Sequence, residues 1–343
     1  MTDPLARSSL QHYLDGLGLG SGALEVTPFS QGHSNLTYLI QREGLEVVLR
    51  RPPLGPLPPS SHDVLREARL VAALAGSGVR CPDIVDMCAD PDVIGAPFYL
   101  MSRVEGRVLA ESATAAFLPV EHRREAVIDL VEALVEIHAV PWRGGALETI
   151  GRPTGYLARQ VRRFTELLDV NATRPLPALQ RVAGWLAENA PQQRETTLVH
   201  GDFRIGNVIY GPGAPSVAAV VDWELATLGD PLADLGYLQA TYAEVEDDED
   251  PMLALSGVTA AEGFPTPAEV AALYEQRSGR PVDELRWYTV LAVWKSAVFL
   301  EGSYKRYLSG TTDDAYFARL ETGVPYLARR AEALADDREL TAT

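Results

Sequence analysis

The chain has 343 residues, of which 46% are apolar, and it carries a formal net charge of −17. This composition is typical of a globular protein and excludes a disordered chain. The negative charge argues against nucleic acid as a partner, because binding to phosphates requires a basic surface. No apolar run reaches 18 residues and the first residues lack the apolar core of a signal peptide, so we expect a cytoplasmic protein without a membrane partner.

The chain begins with sequence typical of strands and continues with sequence typical of helices. Alternating apolar residues predict strands with one helix in the first hundred residues. Helical periodicity dominates from about residue 110 onward and predicts helices at 121–139, 153–170, 177–190, 232–243, 267–277, 283–308 and 313–335. This order predicts an α+β fold with two lobes, a small β-rich N-lobe at 1–104 and a larger, mostly helical C-lobe at 105–343.

Polar residues that could carry chemistry are concentrated between Leu198 and Glu224. "TLV", "VIY" and "VAAVVDW" predict three short strands joined by tight turns, which would bring Asp202, Asn207 and Asp222 to one edge. Carboxylate and amide oxygens are the ligands that Mg²⁺ prefers, and a carboxylate left free of metal can accept a proton. The set therefore predicts phosphoryl transfer. For any one of these residues, turn formation or capping is the preferred explanation, but it explains the whole set poorly.

The motifs "HGDFRIGN" and "VVDWELATLGDPLADLGYL" resemble the aminoglycoside phosphotransferase/choline kinase family. "VLRRPP" and "VIGAPFYLMSRVEGRV" are most similar to the kinase-like module that precedes the dehydrogenase in some acyl-CoA dehydrogenase fusions. The resemblance implies a protein-kinase-like fold and a kinase that uses ATP or GTP with Mg²⁺ to phosphorylate a hydroxyl of a small molecule. It also implies that Asp202 is the catalytic base, that Asn207 and Asp222 bind Mg²⁺, and that Arg204 approaches the transferred phosphoryl group.

A kinase also needs a strand cation for the nucleotide phosphates, paired with a helix glutamate. The N-lobe contains no lysine, so Arg50 in "VVLRR" is the candidate cation, while the neighbouring Arg51 faces the other way. Glu67 falls on the apolar face of its helix, where an unpaired carboxylate is costly. We therefore expect an Arg50–Glu67 ion pair, although a Glu67 side chain that reaches solvent at the helix edge is the alternative.

Further nucleotide contacts are expected from two loops. Gly32 and Ser34, in "SQGHSN", stand where relatives fold a loop over the phosphates. Ser102 and Val104, in "YLMSRVEG", stand in the expected hinge, whose backbone would bind the adenine edge. An ordinary hairpin is the simpler interpretation of the first loop.

The remaining polar residues are expected to support the site. His200 and Asp234 are predicted to hold the catalytic loop, and His138 to be a helix C-terminal histidine favoured by the dipole. Aromatic and charged residues of 283–308 are expected in the core, with some lining the acceptor pocket. The acceptor stays open between a hydroxyacyl compound and an aminoglycoside-like antibiotic, and a non-catalytic nucleotide-binding module is the alternative function. The sequence predicts no oligomeric state.

Overall fold

The structure is a computed structural model, and it describes residues 5–29, 35–53, 63–213, 215–244, 249–310 and 315–337. Gly32 and Ser34 lie outside the described residues. The chain divides into two compact units, the first comprising Met1–Glu105 with Ala218–Glu224 and the second comprising Gly106–Val217 with Leu225–Thr343. In the described part, none of the helices has the length and apolar character needed to cross a membrane.

Unit 1 is built on an antiparallel sheet with strand order β1-β2-β3-β5-β4. The strands are β1 (Ser21–Pro28), β2 (Leu36–Glu43), β3 (Leu45–Arg51), β4 (Ile84–Cys88) and β5 (Phe98–Ser102). Arg50 pairs with Thr37 on one side and with Tyr99 on the other, so it lies on the central strand. Because side chains alternate along a strand, Arg50 and Arg51 point to opposite faces of the sheet.

A helix covers each face of this sheet. Helix α1 (Arg7–Gly16) packs Leu10 and Leu14 against the face that carries Ile40 and Leu49. Helix α2 (Val64–Ala73) packs Val64 and Ala68 against Tyr99 on the other face, and Asp63 caps its N-terminus by accepting from Arg66 N at 2.9 Å. The prediction of one helix in this region was therefore wrong, because the short N-terminal helix was missed.

Unit 2 contains the remaining helices. They are α3 (Val120–His138), α4 (Tyr156–Asn171), α5 (Pro177–Glu188), α6 (Leu232–Thr241), α7 (Pro267–Ser278), α8 (Leu285–Leu308) and α9 (Leu320–Ala335). Helix α8 is the buried centre of this unit, and it packs against α4, α5, α6 and α9. The close approach of α6 and α8 requires Gly236, since a Cβ there would lie 2.6 Å from the Tyr288 backbone.

Short strands in unit 2 position the loop that carries the "HGDFRIGN" motif. They are β6 (Arg107–Val108), β7 (Thr197–Val199), β8 (Val208–Tyr210) and β10 (Thr227–Gly229), while β9 (Val217–Val220) spans the boundary between the units. β7 pairs with β10 and β6 pairs with β8, both antiparallel. The loop between β7 and β8 is therefore fixed at both of its ends.

Candidate active site

The β7–β8 loop brings together Asp202 and Asn207. Asn207 lies in a 3-10 turn (Ile205–Asn207) and is 4% exposed. Its Nδ2 donates to the backbone oxygen of Asp202 and to Asp202 Oδ2, both at 2.8 Å. Since both partners are acceptors, the orientation of the amide is settled, and Oδ1 faces away from Asp202. The Asn207 amide nitrogen is therefore the atom that contacts Asp202, and the amide oxygen is not engaged in this contact.

Gly201 gives this loop its sharp turn. Its φ is +86°, in the left-handed region that favours glycine, and a Cβ would lie 2.7 Å from Leu225 O. No other residue fits this position without strain, which explains the glycine before Asp202.

A buried carboxylate on α6 holds the loop. Asp234 is 1% exposed and accepts from His200 N and Gly201 N, both at 2.7 Å, as predicted. His200 is also fully buried, and its Nδ1 accepts from Asp202 N at 3.2 Å. The orientation of Asp202 is therefore determined by Asp234 through two backbone N–H groups and the His200 ring.

His138 does not have the role predicted for it. It ends α3, but it is 2% exposed, with Nε2 3.2 Å from Asp234 Oδ2 and Nδ1 2.8 Å from Tyr274 Oη. Burial lowers the pKa of His138, against the effect of Asp234. A neutral ring that donates from Nε2 to Asp234 and accepts from the Tyr274 hydroxyl satisfies both contacts. His138 therefore supports Asp234 as a neutral hydrogen-bond donor, and it does not place a positive charge at the C-terminal end of α3.

We expect Asp234→Ala to destabilise the protein by about 3 kcal/mol, because it leaves two N–H groups of His200 and Gly201 unsatisfied at roughly 1–3 kcal/mol each. Asp234→Asn is the matched control, since one amide oxygen can still accept and part of the stability should return. Urea unfolding followed by circular dichroism measures both variants. Equal stability of Asp234→Ala and the unmodified chain would show that the loop is held by other contacts.

Arg204 is engaged with its own loop. Its Nη1 donates to Leu255 O at 3.1 Å, and its Nε lies 3.9 Å from Asp202 Oδ1. A Cβ at residue 206 would collide with the same guanidinium, so Gly206 makes room for it. The structure therefore places Arg204 beside the candidate base, within unit 2.

Unit 1 contains a buried cluster of one arginine and three carboxylates. Arg50 Nε lies 3.1 Å from Glu67 Oε2, its Nη2 donates to Asp222 Oδ1, and Nη2 lies 3.8 Å from Glu224 Oε2. Glu67 is 1% exposed. The predicted Arg50–Glu67 ion pair is therefore confirmed, and the solvent-exposed alternative for Glu67 is wrong. Arg51 faces the opposite side, where it donates to Ile94 O at 2.8 Å.

The negative charges in this cluster exceed the positive charge of Arg50. Burial and the nearby Asp222 and Glu224 raise the pKa of Glu67 to about 7, although Arg50 and a hydrogen bond from Trp223 N act in the opposite direction. Burial alone would lower the pKa of Arg50. The neighbouring carboxylates, of which Glu67 has the largest effect, hold this pKa above its usual value. Arg50 therefore stays charged, and the surplus of carboxylate favours an additional cation.

Asp222 has an unusual backbone. Its φ is +68°, which is uncommon for residues other than glycine and is tolerated best by aspartate and asparagine. The next residue, Trp223, is 1% exposed, and its backbone N–H donates to Glu67 Oε1 at 3.1 Å. The "DWE" segment is thus held against α2 while the Asp222 side chain turns toward Arg50.

Sequence reasoning assigned no role to Glu224 of this cluster or to its hydrogen-bond partner Asn35. Asn35 donates from Nδ2 to Glu224 Oε2 at 2.9 Å, so it links the start of β2 to the "DWE" segment. The only signal in the sequence was the position of Glu224 directly after Asp-Trp. Long-range contacts of this kind leave no periodic pattern.

The two expected hinge residues end the sheet of unit 1. Ser102 is the last residue of β5, and its hydroxyl accepts from Asp83 N at 3.0 Å. Val104 follows as a partly buried residue. The binding of adenine by these two residues stays a prediction.

If Arg50 is the phosphate ligand that the sequence predicts, Arg50→Ala should weaken ATP binding at least tenfold, because a charge-assisted hydrogen bond is worth roughly 1.5–3 kcal/mol. It should also destabilise unit 1, since Glu67 loses its cation. Arg50→Lys should restore part of the affinity, because the charge survives without the bidentate fork. Titration calorimetry measures the affinity.

Arg51→Lys is the control for this series, since it changes a neighbouring arginine on the opposite face of β3. Unchanged ATP affinity in Arg50→Ala, or an equal loss in Arg51→Lys, would contradict the assignment.

The donor chemistry fits a Mg²⁺ ion that shares phosphate oxygens. Among the described residues there is no group of three His, Cys, Asp or Glu side chains able to hold a metal by themselves. Each unit by itself offers one oxygen donor of the kind that Mg²⁺ prefers, the Asn207 amide oxygen in unit 2 and the Asp222 carboxylate in unit 1. Mg²⁺ characteristically takes one or two protein oxygens and completes its shell with water and phosphate.

Two features define a protein-kinase-like fold. One is a β-sheet unit in which a strand cation pairs with a helix glutamate, and the other is a helical unit that carries the D-x-x-x-x-N loop. The family model of the phosphotransferase enzyme family matches residues 25–273, and the chain belongs to this family. The predictions of the family, of the fold and of a phosphotransferase are therefore confirmed.

Similar proteins agree with this classification. The chain is 36% identical to acyl-CoA dehydrogenase family member 10 of Mus musculus, over 92% of its own length but only 30% of that protein. It is 30% identical to a candidate aminoglycoside phosphotransferase from Ralstonia eutropha JMP134, whose crystal structure superposes with a TM-score of 0.80 and coverage of 97% and 99% of the two chains. A thermostable mutant of aminoglycoside phosphotransferase APH(4)-Ia, in complex with AMP-PNP and hygromycin B, shares the fold at 18% identity and a TM-score of 0.63, with coverage of 97% and 100%.

Proposed function

We propose that this protein is a Mg²⁺-dependent kinase that transfers the γ-phosphate of ATP or GTP to a hydroxyl of a small molecule. The observation that carries the proposal is the Asp202–Asn207 pair, in which an amide fixed by two hydrogen bonds holds one oxygen of a carboxylate. This arrangement keeps a candidate base beside a candidate metal ligand. Phosphoryl transfer requires both groups, and a simple turn requires neither.

Asp202 is the proposed catalytic base. Its Oδ2 is held by Asn207, and its side chain is 21% exposed, so a hydroxyl can reach the carboxylate. The backbone hydrogen bond to His200 and the Asp234 contacts behind it restrict the orientation of Asp202. In this role, Asp202 orients the acceptor hydroxyl and accepts its proton.

Asn207 and Asp222 are the proposed Mg²⁺ ligands, and Arg50 the proposed phosphate ligand. Bound Mg²⁺ would neutralise charge on the transferred phosphates. The surplus of carboxylate around Arg50 supports the binding of a further cation in unit 1. The AMP-PNP in the APH(4)-Ia complex supports an adenine nucleotide as the donor. Gly32, Ser34, Ser102 and Val104 are proposed as further nucleotide contacts on the sequence alone.

The acceptor is proposed to be either a hydroxyacyl compound or an aminoglycoside-like antibiotic. The similarity to an acyl-CoA dehydrogenase family protein supports the first, although this chain spans only 30% of that protein. The hygromycin B complex of the APH(4)-Ia neighbour supports the second. Both acceptors carry the hydroxyl that the proposed chemistry requires.

Acceptor-stimulated release of ADP tests the proposed function. The purified chain is incubated with ATP and Mg²⁺ and with hydroxyacyl-CoAs, aminoglycosides, macrolides or choline-like alcohols in turn. We expect one class to stimulate ADP release well above the rate of ATP hydrolysis alone. Nucleotide binding without stimulation by any class would instead favour a non-catalytic nucleotide-binding module.

A further inference from the structure

The aromatic and charged residues of helix α8 include Trp287, Trp294, Lys295, Glu301 and Tyr304, and four of these five have structural partners. The Trp287 and Trp294 indoles donate to Leu186 O at 3.1 Å and to Leu179 O at 2.9 Å. Glu301 accepts from the backbone and hydroxyl of Thr173, and Tyr304 lies under the Arg174 guanidinium. The fifth residue, Lys295, has no comparable role.

Lys295 is a partly buried cation without an acceptor. Among the described residues, Nζ has one cation–π partner, the Phe164 ring, whose centroid lies 4.8 Å away. No hydrogen bond or carboxylate within ion-pair distance is found for Nζ among the described residues. An unpaired charge in such a place is costly, and the protein would gain stability by replacing it with an apolar side chain.

The surroundings of Lys295 contain a second cation. Burial lowers the pKa of Lys295 to about 8, and the charge of Arg163 on α4 acts in the same direction. Helix α8 packs against α6, whose Asp234 accepts from the N–H groups of His200 and Gly201 next to the candidate base, and the charges of Asp234 and Asp202 raise the pKa of Lys295 against the effect of burial. Arg163 is exposed and has no hydrogen bond or ion pair among the described residues.

We propose that Lys295, together with Arg163, binds an anionic group of the acceptor, either a carboxylate or a phosphate ester. Two cations that have no carboxylate within ion-pair distance among the described residues, on helices α4 and α8 that pack against each other, are the arrangement expected where the ligand itself supplies the negative charge. The inference rests on the proposed function, because it assigns the bound molecule as the acceptor. It disfavours polycationic aminoglycosides, which two cations would repel.

Lys305 has a different environment, which makes it an internal reference. Its Nζ donates to Val170 O at 2.6 Å from an exposed position. Lys295 and Lys305 are the only lysines in the chain. Reductive methylation with ¹³C-formaldehyde keeps the charge of lysine, so the NMR spectrum would show these two side chains and the N-terminal amine.

The test titrates the ¹³C-methylated full chain with butyrate, with inorganic phosphate and with neutral butyramide. We expect a saturable shift of the Lys295 signal with at least one of the two anions, while Lys305 stays unchanged and butyramide has no effect. A response to butyrate identifies a carboxylate site, and a response to phosphate alone identifies a phosphate site. The net charge of −17 opposes nonspecific anion binding, so a saturable response is specific.

Two variants complete the test. Lys295→Met identifies the NMR signal of Lys295, because that signal disappears in this variant. Arg163→Gln should weaken anion binding about tenfold, which is the effect of losing one charge-assisted hydrogen bond. If neither anion shifts Lys295 more than Lys305, the proposal is overturned. It is also overturned if Lys295→Met moves only the pH profile of turnover, because Lys295 would then act on Asp202. Since the anion titration itself measures no phosphoryl transfer, its failure and that of the proposed function are distinguishable.

Discussion

Asp202→Asn is expected to lower turnover by at least about 100-fold, the usual scale for the loss of an acid–base group. Asparagine has nearly the same shape, and its side-chain oxygen can still accept from Asn207 Nδ2, which donates to Asp202 Oδ2 at 2.8 Å in the structure. Folding and nucleotide binding should therefore change little. Steady-state ADP release with the stimulating acceptor measures the effect.

Asp169→Asn is the matched control for Asp202→Asn. Asp169 is an exposed carboxylate on α4, so its loss changes the net charge equally without touching the β7–β8 loop. The control should retain full turnover. Near-full turnover of Asp202→Asn with the same acceptor would show that Asp202 is not the base.

Asp222→Asn is expected to weaken Mg²⁺-dependent ATP binding by at least about 100-fold, or roughly 2.7 kcal/mol, because it removes the proposed anionic metal ligand. Asparagine tolerates the left-handed backbone at this position, where φ is +68°. Binding of ATP without Mg²⁺ should not weaken, since Arg50 Nη2 is released from its hydrogen bond to Asp222. Titration calorimetry with and without Mg²⁺ separates the two effects.

Asp222→Ala provides the comparison that separates charge from backbone strain. Alanine is strained in the left-handed region by roughly 1–2 kcal/mol, so this variant should also be less stable than Asp222→Asn. Equal loss of Mg²⁺-dependent affinity in the two variants supports the metal role. An affinity that is unchanged in Asp222→Asn but reduced in Asp222→Ala would instead assign Asp222 a role in backbone conformation.

The sequence predicted those parts of the candidate site that depend on local spacing. Asp202 and Asn207 occur in one loop between two short strands, so their contact follows from the turn itself. Helical periodicity predicted that Glu67 points inward. Arg50 could be chosen as its partner because successive side chains of a strand point to opposite faces of the sheet. The role of Asp234 was predicted from its place in the first turn of a helix, although the N–H groups that it accepts from belong to residues 33 and 34 positions earlier in the chain.

Other features depend on contacts between distant residues. Helix α1 was missed because its buried face consists of little more than Leu10 and Leu14, set among serine and histidine. The neutral state of His138 depends on its contacts with Asp234 and Tyr274, which lie far along the chain. The contacts of Glu224 with Asn35 and Arg50 have the same origin. Tertiary packing, not local pattern, determines these positions.

Transfer of a labelled γ-phosphoryl group is the measurement that tests the central claim most directly. The chain is incubated with Mg²⁺ and ATP labelled with ¹⁸O at the γ-phosphate, together with the acceptor that stimulates ADP release, and the products are examined by mass spectrometry. The account predicts a phosphorylated acceptor that carries the labelled oxygens, formed by the unmodified chain and by Asp169→Asn but nearly lost in Asp202→Asn. ADP formed with all of the label in free phosphate, or equal labelling of the acceptor by Asp202→Asn, would contradict it.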